Sequence, residues 1–175
     1  MIRFHSLALV TGLCAAPAAA IAQAPAKPSD PQIAHIAYTA GVIDIKAAEL
    51  ARKRSTNKEV LAFAGDMLRD HKAVNDQALA LLKTLKVTPE DNETSRALVN
   101  QADAKAKELA ALSGAAFDRA YAQNEVAFHQ QVNGALQTVL IPGATNGELK
   151  SLLETGLKIF QGHQQHAEHM AQNLR

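Results

Sequence analysis

The 175-residue sequence is poor in the residues that usually staple or decorate a small exported domain. It has one cysteine, no tryptophan and 4% aromatic residues. The single cysteine, Cys14, falls in an N-terminal leader, so the mature chain is expected to have no disulfide, thiolate ligand or thiol nucleophile. Charge of one sign is also missing, with 18 Lys and Arg against 17 Asp and Glu. That balance argues against nucleic acid as a partner, which requires a clustered basic surface. No stretch after the leader is long and apolar enough to cross a membrane. No Gly-rich phosphate loop and no His-Glu-x-x-His appear, and Ser113 and Ser151 lack evident His–Asp partners, so no hydrolase triad is expected. No strand periodicity is present anywhere.

The first 24 residues carry a basic Arg3, then an apolar stretch interrupted by Thr11, Gly12 and Pro17, then Ala22-Gln23-Ala24 before Pro25. This pattern predicts a secretory signal peptide, residues 1–24, cleaved after Ala24. Leu13 before Cys14 counts against a lipoprotein anchor, where a small residue is wanted. Loss of Arg3 leaves basic and acidic residues equal in number. The mature chain is thus expected in the periplasm or otherwise exported, with outer-membrane association left open. About 150 residues suffice for one domain with a real core. Residues 25–31 read as a Pro-rich flexible lead-in, and residues 32–175 as one helical domain.

Five helices are legible. Asp30 with Pro31 suggests an N-cap and first turn, and a helix follows through Ile33, Ile36, Ala40, Ala47 and Ala51 to about Lys53. A second, capped by Thr56 or Asn57, carries Val60, Ala64, Met67, Leu68, Val74, Ala78, Leu82 and Leu85 at three- and four-residue steps. A shorter one runs from about Thr94 to Leu112. Ser113 is placed to cap a long fourth helix from Ala115 to about Leu140, where Ile141-Pro142-Gly143 reads as a stop. The last spans about Glu148 to Asn173. Long–long–short–long–long predicts an all-α, ferritin-like four-helix bundle with a short crossover helix. The competing topology is an up-down bundle with a fifth helix outside.

Polar residues occupy the apolar stripes of the four long helices. His71 shares a face with Met67, Leu68, Val74 and Ala78. His129 follows Glu125 by four residues and precedes Val132 and Leu136. His163 follows Gly156, Ile159 and Phe160. Asp44 sits among Ala37, Ala40, Gly41, Ala47 and Ala48, whereas Glu49, near Lys46, Arg52 and Lys53, reads as solvated. A buried carboxylate or imidazole costs several kcal/mol unless paired or bound to an ion. One or more from each of four helices suggests convergence on a metal, with Asp44, His71, Glu125, His129 and His163 as candidate ligands. Asp70 and His166 are the supporting or alternate ligands. The alternative is that these groups merely hydrogen-bond one another, in a non-catalytic envelope interaction or stress-protection module. His163, His166 and His169, at three-residue steps, also fit a wet helix end favoured by the dipole.

The di-iron signature Glu-x-x-His is absent from both helices that would carry it, which counts against an oxidase or ferroxidase. A His-rich, carboxylate-poor set favours a single transition ion such as zinc, copper or iron. No enzyme activity and no oligomeric state can be assigned from these residues.

Several stretches together resemble the DUF4142 family, a domain of unknown function in ferritin-like bacterial proteins often described as periplasmic or outer-membrane. They include Thr39-Ala40-Gly41-Val42-Ile43-Asp44, Met67-Leu68-Arg69-Asp70-His71-Lys72-Ala73-Val74-Asn75 and Val87-Thr88-Pro89-Glu90-Asp91-Asn92. Further on are Ala116-Phe117-Asp118-Arg119-Ala120-Tyr121, Asn124-Glu125-Val126-Ala127-Phe128-His129 and His163-Gln164-Gln165-His166-Ala167. The resemblance covers about residues 32–172 and implies a helical bundle outside the cytoplasm. It implies no activity. Asp44 stands where many members carry Glu, one methylene longer.

Overall fold

The computed structural model describes residues 27–174, so the leader and its cleavage site lie outside the described residues. Within them the chain forms α1 (Asp30–Arg54), α2 (Lys58–Leu85), α3 (Glu93–Ala110), α4 (Gly114–Ala135), the one-turn α5 (Ile141–Gly143) and α6 (Gly147–Asn173). No strand occurs among the described residues.

Short connections force antiparallel neighbours. α1 turns into α2 at Ser55–Asn57, and α4 with α5 turns into α6 at Ala144–Asn146. These two hairpins pack with α2 against α6 and α1 against α4, leaving α2 and α4 at opposite corners. α3 bridges that diagonal along the outside of α1. The architecture is therefore the ferritin-like four-helix bundle with one crossover, and α3 is the crossover.

Local chemistry sets the helix ends, in places differently from the sequence expectation. Ser29, not Asp30, caps α1, in a capping box with Gln32. Asp30 is thereby freed to accept bonds from Thr145 N (2.8 Å), Thr145 Oγ1 (2.6 Å) and Asn146 N (2.8 Å), which fastens the start of α1 to the α5–α6 turn. Asn57 caps α2 and Asn146 caps α6. Ser113 occupies the cap of α4, yet its hydroxyl makes no capping bond. Pro142 does not stop the helix where the sequence suggested. Residues Leu136–Leu140 widen into a π-helical turn, with Ile141 N bonded to Leu136 O, and Pro142 then fits the first turn of α5.

The core has two apolar clusters stacked along the bundle. One joins Ala48, Ala51, Phe63, Met67, Phe117, Tyr121, Ala167 and Met170. The other joins Ile33, Ile36, Leu82, Leu136, Leu140, Leu149, Leu153 and Phe160. Between them, at mid-height, lies a polar layer.

Candidate metal centre

Each long helix contributes to this layer through the same register that builds its apolar stripe. On α4 the stripe Phe117, Tyr121, Glu125, His129 and Asn133 repeats every four residues, and all five are buried. On α2 it runs Met67, His71 and Asn75, and on α6 Phe160, His163 and Ala167. On α1 Asp44 lies between buried Gly41 and Ala48. Helical periodicity therefore dictates that the polar residues point inward together.

Asp44, His71, Glu125, His129 and His163 are all buried, and their side chains share one level. The ring centroids of His71, His129 and His163 lie 5.2–5.8 Å apart. One ligand atom from each of these three falls within 4.8 Å of the others, and the same holds for Asp44, Glu125 and His129. His129 belongs to both groups. Phe160 stacks on the His71 ring at 4.6 Å and closes one wall.

Hydrogen bonds fix two of the rings. His129 Nδ1 donates to the Glu125 carbonyl at 3.0 Å, leaving Nε2 buried without a partner. His163 Nε2 donates to Asp70 Oδ2 at 3.0 Å, leaving Nδ1 equally bare. A carboxylate on the outer nitrogen orients an imidazole so that its other nitrogen presents a lone pair inward. His71 Nε2 is 3.4 Å from Asp44 Oδ2, but the geometry makes no hydrogen bond, and neither ring nitrogen is satisfied. Asp44 Oδ1 and Glu125 Oε2 are also unpartnered. Each such buried orphan costs about 1–3 kcal/mol. Six of the ten buried unpartnered side-chain atoms among the described residues belong to these five residues, and that concentration requires a reason.

The electrostatics point the same way. Burial pushes the Glu125 carboxyl up to about 8, a weak bond from Asn124 opposing it. Burial, then the charge of Glu125, holds the Asp44 carboxyl well above the usual range. Burial drives His71 down to about 2, helped by His129 and His163, and drives His129 down to about 4. His163 is lowered by burial in spite of Asp70. Asp70, nearer the surface, is raised by burial, but bonds from Arg69 and His163 outweigh this and hold it low. No lysine or arginine is buried among the described residues. The three imidazoles are thus neutral, and the two carboxylates face no fixed cation. Neutral imidazole nitrogens and carboxylate oxygens are donors for a divalent transition ion, so the arrangement allows a metal.

Not every sequence candidate joins the cluster. Asp70 supports His163 from the seam between α2 and α6. His166 lies outside, half exposed, edge-on to Phe63 and 3.9 Å from Asp66. Glu49 is exposed. Sequence reasoning passed over Tyr121, Asp118 and Asn133, each with a buried unpartnered oxygen, and Asn75, which is also buried. Their position four residues from Glu125, His129 or His71 would have found Tyr121, Asn133 and Asn75.

The family model for the domain of unknown function DUF4142 matches residues 15–170. The chain belongs to the DUF4142 family. Among solved structures, this DUF4142 protein is similar to a protein described as a secreted DUF305 member from Streptomyces coelicolor, at 16% identity and a TM-score of 0.65. The match covers 82% of this chain and 91% of that one. It is also similar to CopM in its Cu(II)-bound form, at 14% identity and a TM-score of 0.65, over 86% of this chain and all of that one. At such identities the likeness establishes the shared fold. No curated protein matches the sequence.

Proposed function

We propose that this DUF4142 protein is exported and holds a single transition-metal ion at mid-height in its bundle. The ligands would be inward nitrogens of His71, His129 and His163, completed by a carboxylate oxygen from Asp44, Glu125 or both. One observation carries the reading: buried, unpartnered donor atoms from all four long helices converge within ligand reach. A divalent ion would displace the protons that burial keeps on Asp44 and Glu125, pair with the resulting carboxylates and give the bare nitrogens the partner they lack. Three imidazoles with one or two carboxylates suit zinc, copper or iron. CopM shows a bundle of related shape carrying Cu(II), which makes copper a sensible first ion to try. With the expected leader removed, such a protein would sequester or buffer a metal outside the cytoplasm rather than turn over a substrate.

The test is elemental analysis of the mature chain purified from the periplasm, beside a His71→Ala/His129→Ala variant. The proposal expects close to one ion per wild-type chain and a large loss in the variant. Equal, near-zero metal in both, with the variant still helical by circular dichroism, would remove it. N-terminal sequencing of the same sample tests cleavage after Ala24.

A further inference from the structure

The seam between α2 and α6 carries a second pattern that the buried cluster does not use. Three histidines on α6 each face an acid on α2. His163 Nε2 is 3.0 Å from Asp70 Oδ2, His166 Nδ1 is 3.9 Å from Asp66 Oδ2, and His169 Nδ1 is 3.4 Å from Glu59 Oε1. The antiparallel register produces this, since steps of three on α6 meet steps of four and seven on α2. The pairs are graded outward: the histidine side chains are 8%, 38% and 70% exposed in that order. The innermost histidine belongs to both systems, with Nε2 in the seam and the unpartnered Nδ1 in the core.

Arg69 lies across the inner two acids. Its guanidinium donates to Asp66 Oδ1 at 2.7 Å and to both Asp70 oxygens at 2.8 and 3.0 Å. The side chain is 66% exposed, so these pairs are weak and screened by salt. A doubly charged ion competes well against such a monovalent clasp.

Another half-buried neighbour of the cluster is Asn124, which reaches Glu125 at 3.4 Å. It opens on a groove between α1, α3 and α4 walled mainly by Ile43, Ala47, Leu50, Leu109 and Phe128, with His35 and Asp103 also on its lining. Walls that are mainly apolar give a hydrated cation few partners to exchange its water for. The α2/α6 seam offers imidazole and carboxylate at each turn.

We propose that the α2/α6 seam is the loading path by which a divalent transition ion reaches the buried cluster, with Arg69 as its displaceable guard. This rests on the metal-binding reading above. The ion is captured at the exposed Glu59–His169 and Asp66–His166 pairs, displaces Arg69 from Asp66 and Asp70, and passes inward at His163. Clefts of one charge sign raise cation on-rates in this way, and the effect falls with ionic strength.

The test uses the whole mature chain with Cu(II) alone as probe. Tyr38 and Tyr121 are the only tyrosines, and there is no tryptophan, so in a Tyr38→Phe background quenching of tyrosine emission in stopped flow reports arrival near Tyr121. At low salt, Asp66→Asn/His166→Gln should slow loading more than about threefold while bound stoichiometry after dialysis stays at wild type. Arg69→Gln should speed it. Unchanged rates in both variants with wild-type stoichiometry would overturn the path and leave the buried site standing. Greater slowing by Asn124→Leu than by the seam variant would also overturn it. Wild-type protein that retains no Cu(II) would overturn the buried site and the path together.

Discussion

Replacing Glu125 by glutamine in the metal-free protein isolates the electrostatic strain of the cluster. Glu125 has an ordinary carboxyl pKa of 4.5 and a folded value of about 8. Between those values the folded chain holds a proton that the unfolded chain has lost. Stability is therefore lost as pH rises through this window and levels off above about pH 8. At about 1.36 kcal/mol per unit, the change from pH 6 to pH 8 costs the wild type about 2 kcal/mol through this group, the last fraction being rounded off near its pKa. Asp44, raised in the same direction chiefly by burial, costs stability over this range in both proteins, and the variant removes only the smaller part due to the charge of Glu125. His71 and His129 have depressed values, so their protonation in the unfolded chain lowers stability only below about pH 6.5. That contribution is shared by both proteins and largely cancels. Urea denaturation followed by far-ultraviolet circular dichroism, with chelator present, gives the four stabilities required. Wild type should lose about 2 kcal/mol more than Glu125→Gln between pH 6 and pH 8. Equal losses would show that Glu125 is solvated or paired, and the dry polar layer would have to be abandoned.

Other substitutions test the packing that positions the cluster. A Cβ on Gly41 would overlap the buried Asn75 amide, whose Nδ2 and Cγ would lie at 2.9 and 3.0 Å. Overpacking costs about 1–3 kcal/mol and outweighs the helix preference for alanine. Gly41→Ala should therefore lower the denaturation midpoint, and adding Asn75→Ala should recover part of it. Asp30→Asn weakens the bonds from Thr145 and Asn146 and should cost roughly 1 kcal/mol at pH 7 after solvent screening. These bonds hold the Asp30 carboxyl low against the push of burial. The stability they give is present above its ordinary value of 3.8 and lost as pH falls through the folded value, so wild type and variant should converge in acid. Lys86, at the C-cap of α2, sits in the left-handed region at φ 55°. Lys86→Gly should raise stability by about 0.5 kcal/mol, the relief of strain being partly offset by glycine's greater freedom when unfolded.

The helices and the inward set were legible because one rule governs both. A histidine three or four residues from Met67, Val74 or Phe160 must share their face, so burial of His71 and His163 followed from spacing alone. Depth along the bundle was not legible. It depends on how far each helix slides past its neighbours, and the short turns at Ser55–Asn57 and Ala144–Asn146 fix that only in three dimensions. For the same reason the pairing of His163 with Asp70, 93 positions apart, and the exposure of His166 could not be read from the chain. Pro142 misled because a proline ordinarily ends a helix. The π-helical turn before it changes the hydrogen-bond partners, so the missing N–H does no harm. Ser29 caps α1 in place of Asp30, and the aspartate bonds a turn more than a hundred positions away, a contact no local pattern encodes.

The most direct measurement is anomalous scattering at the copper edge from crystals of the Cu(II)-loaded mature chain. The account predicts one strong peak at mid-height in the bundle, within coordination distance of His71, His129 and His163 and beside Asp44 or Glu125. Peaks confined to surface histidines such as His169, with the five inward side chains bonded only to one another or to water, would contradict it.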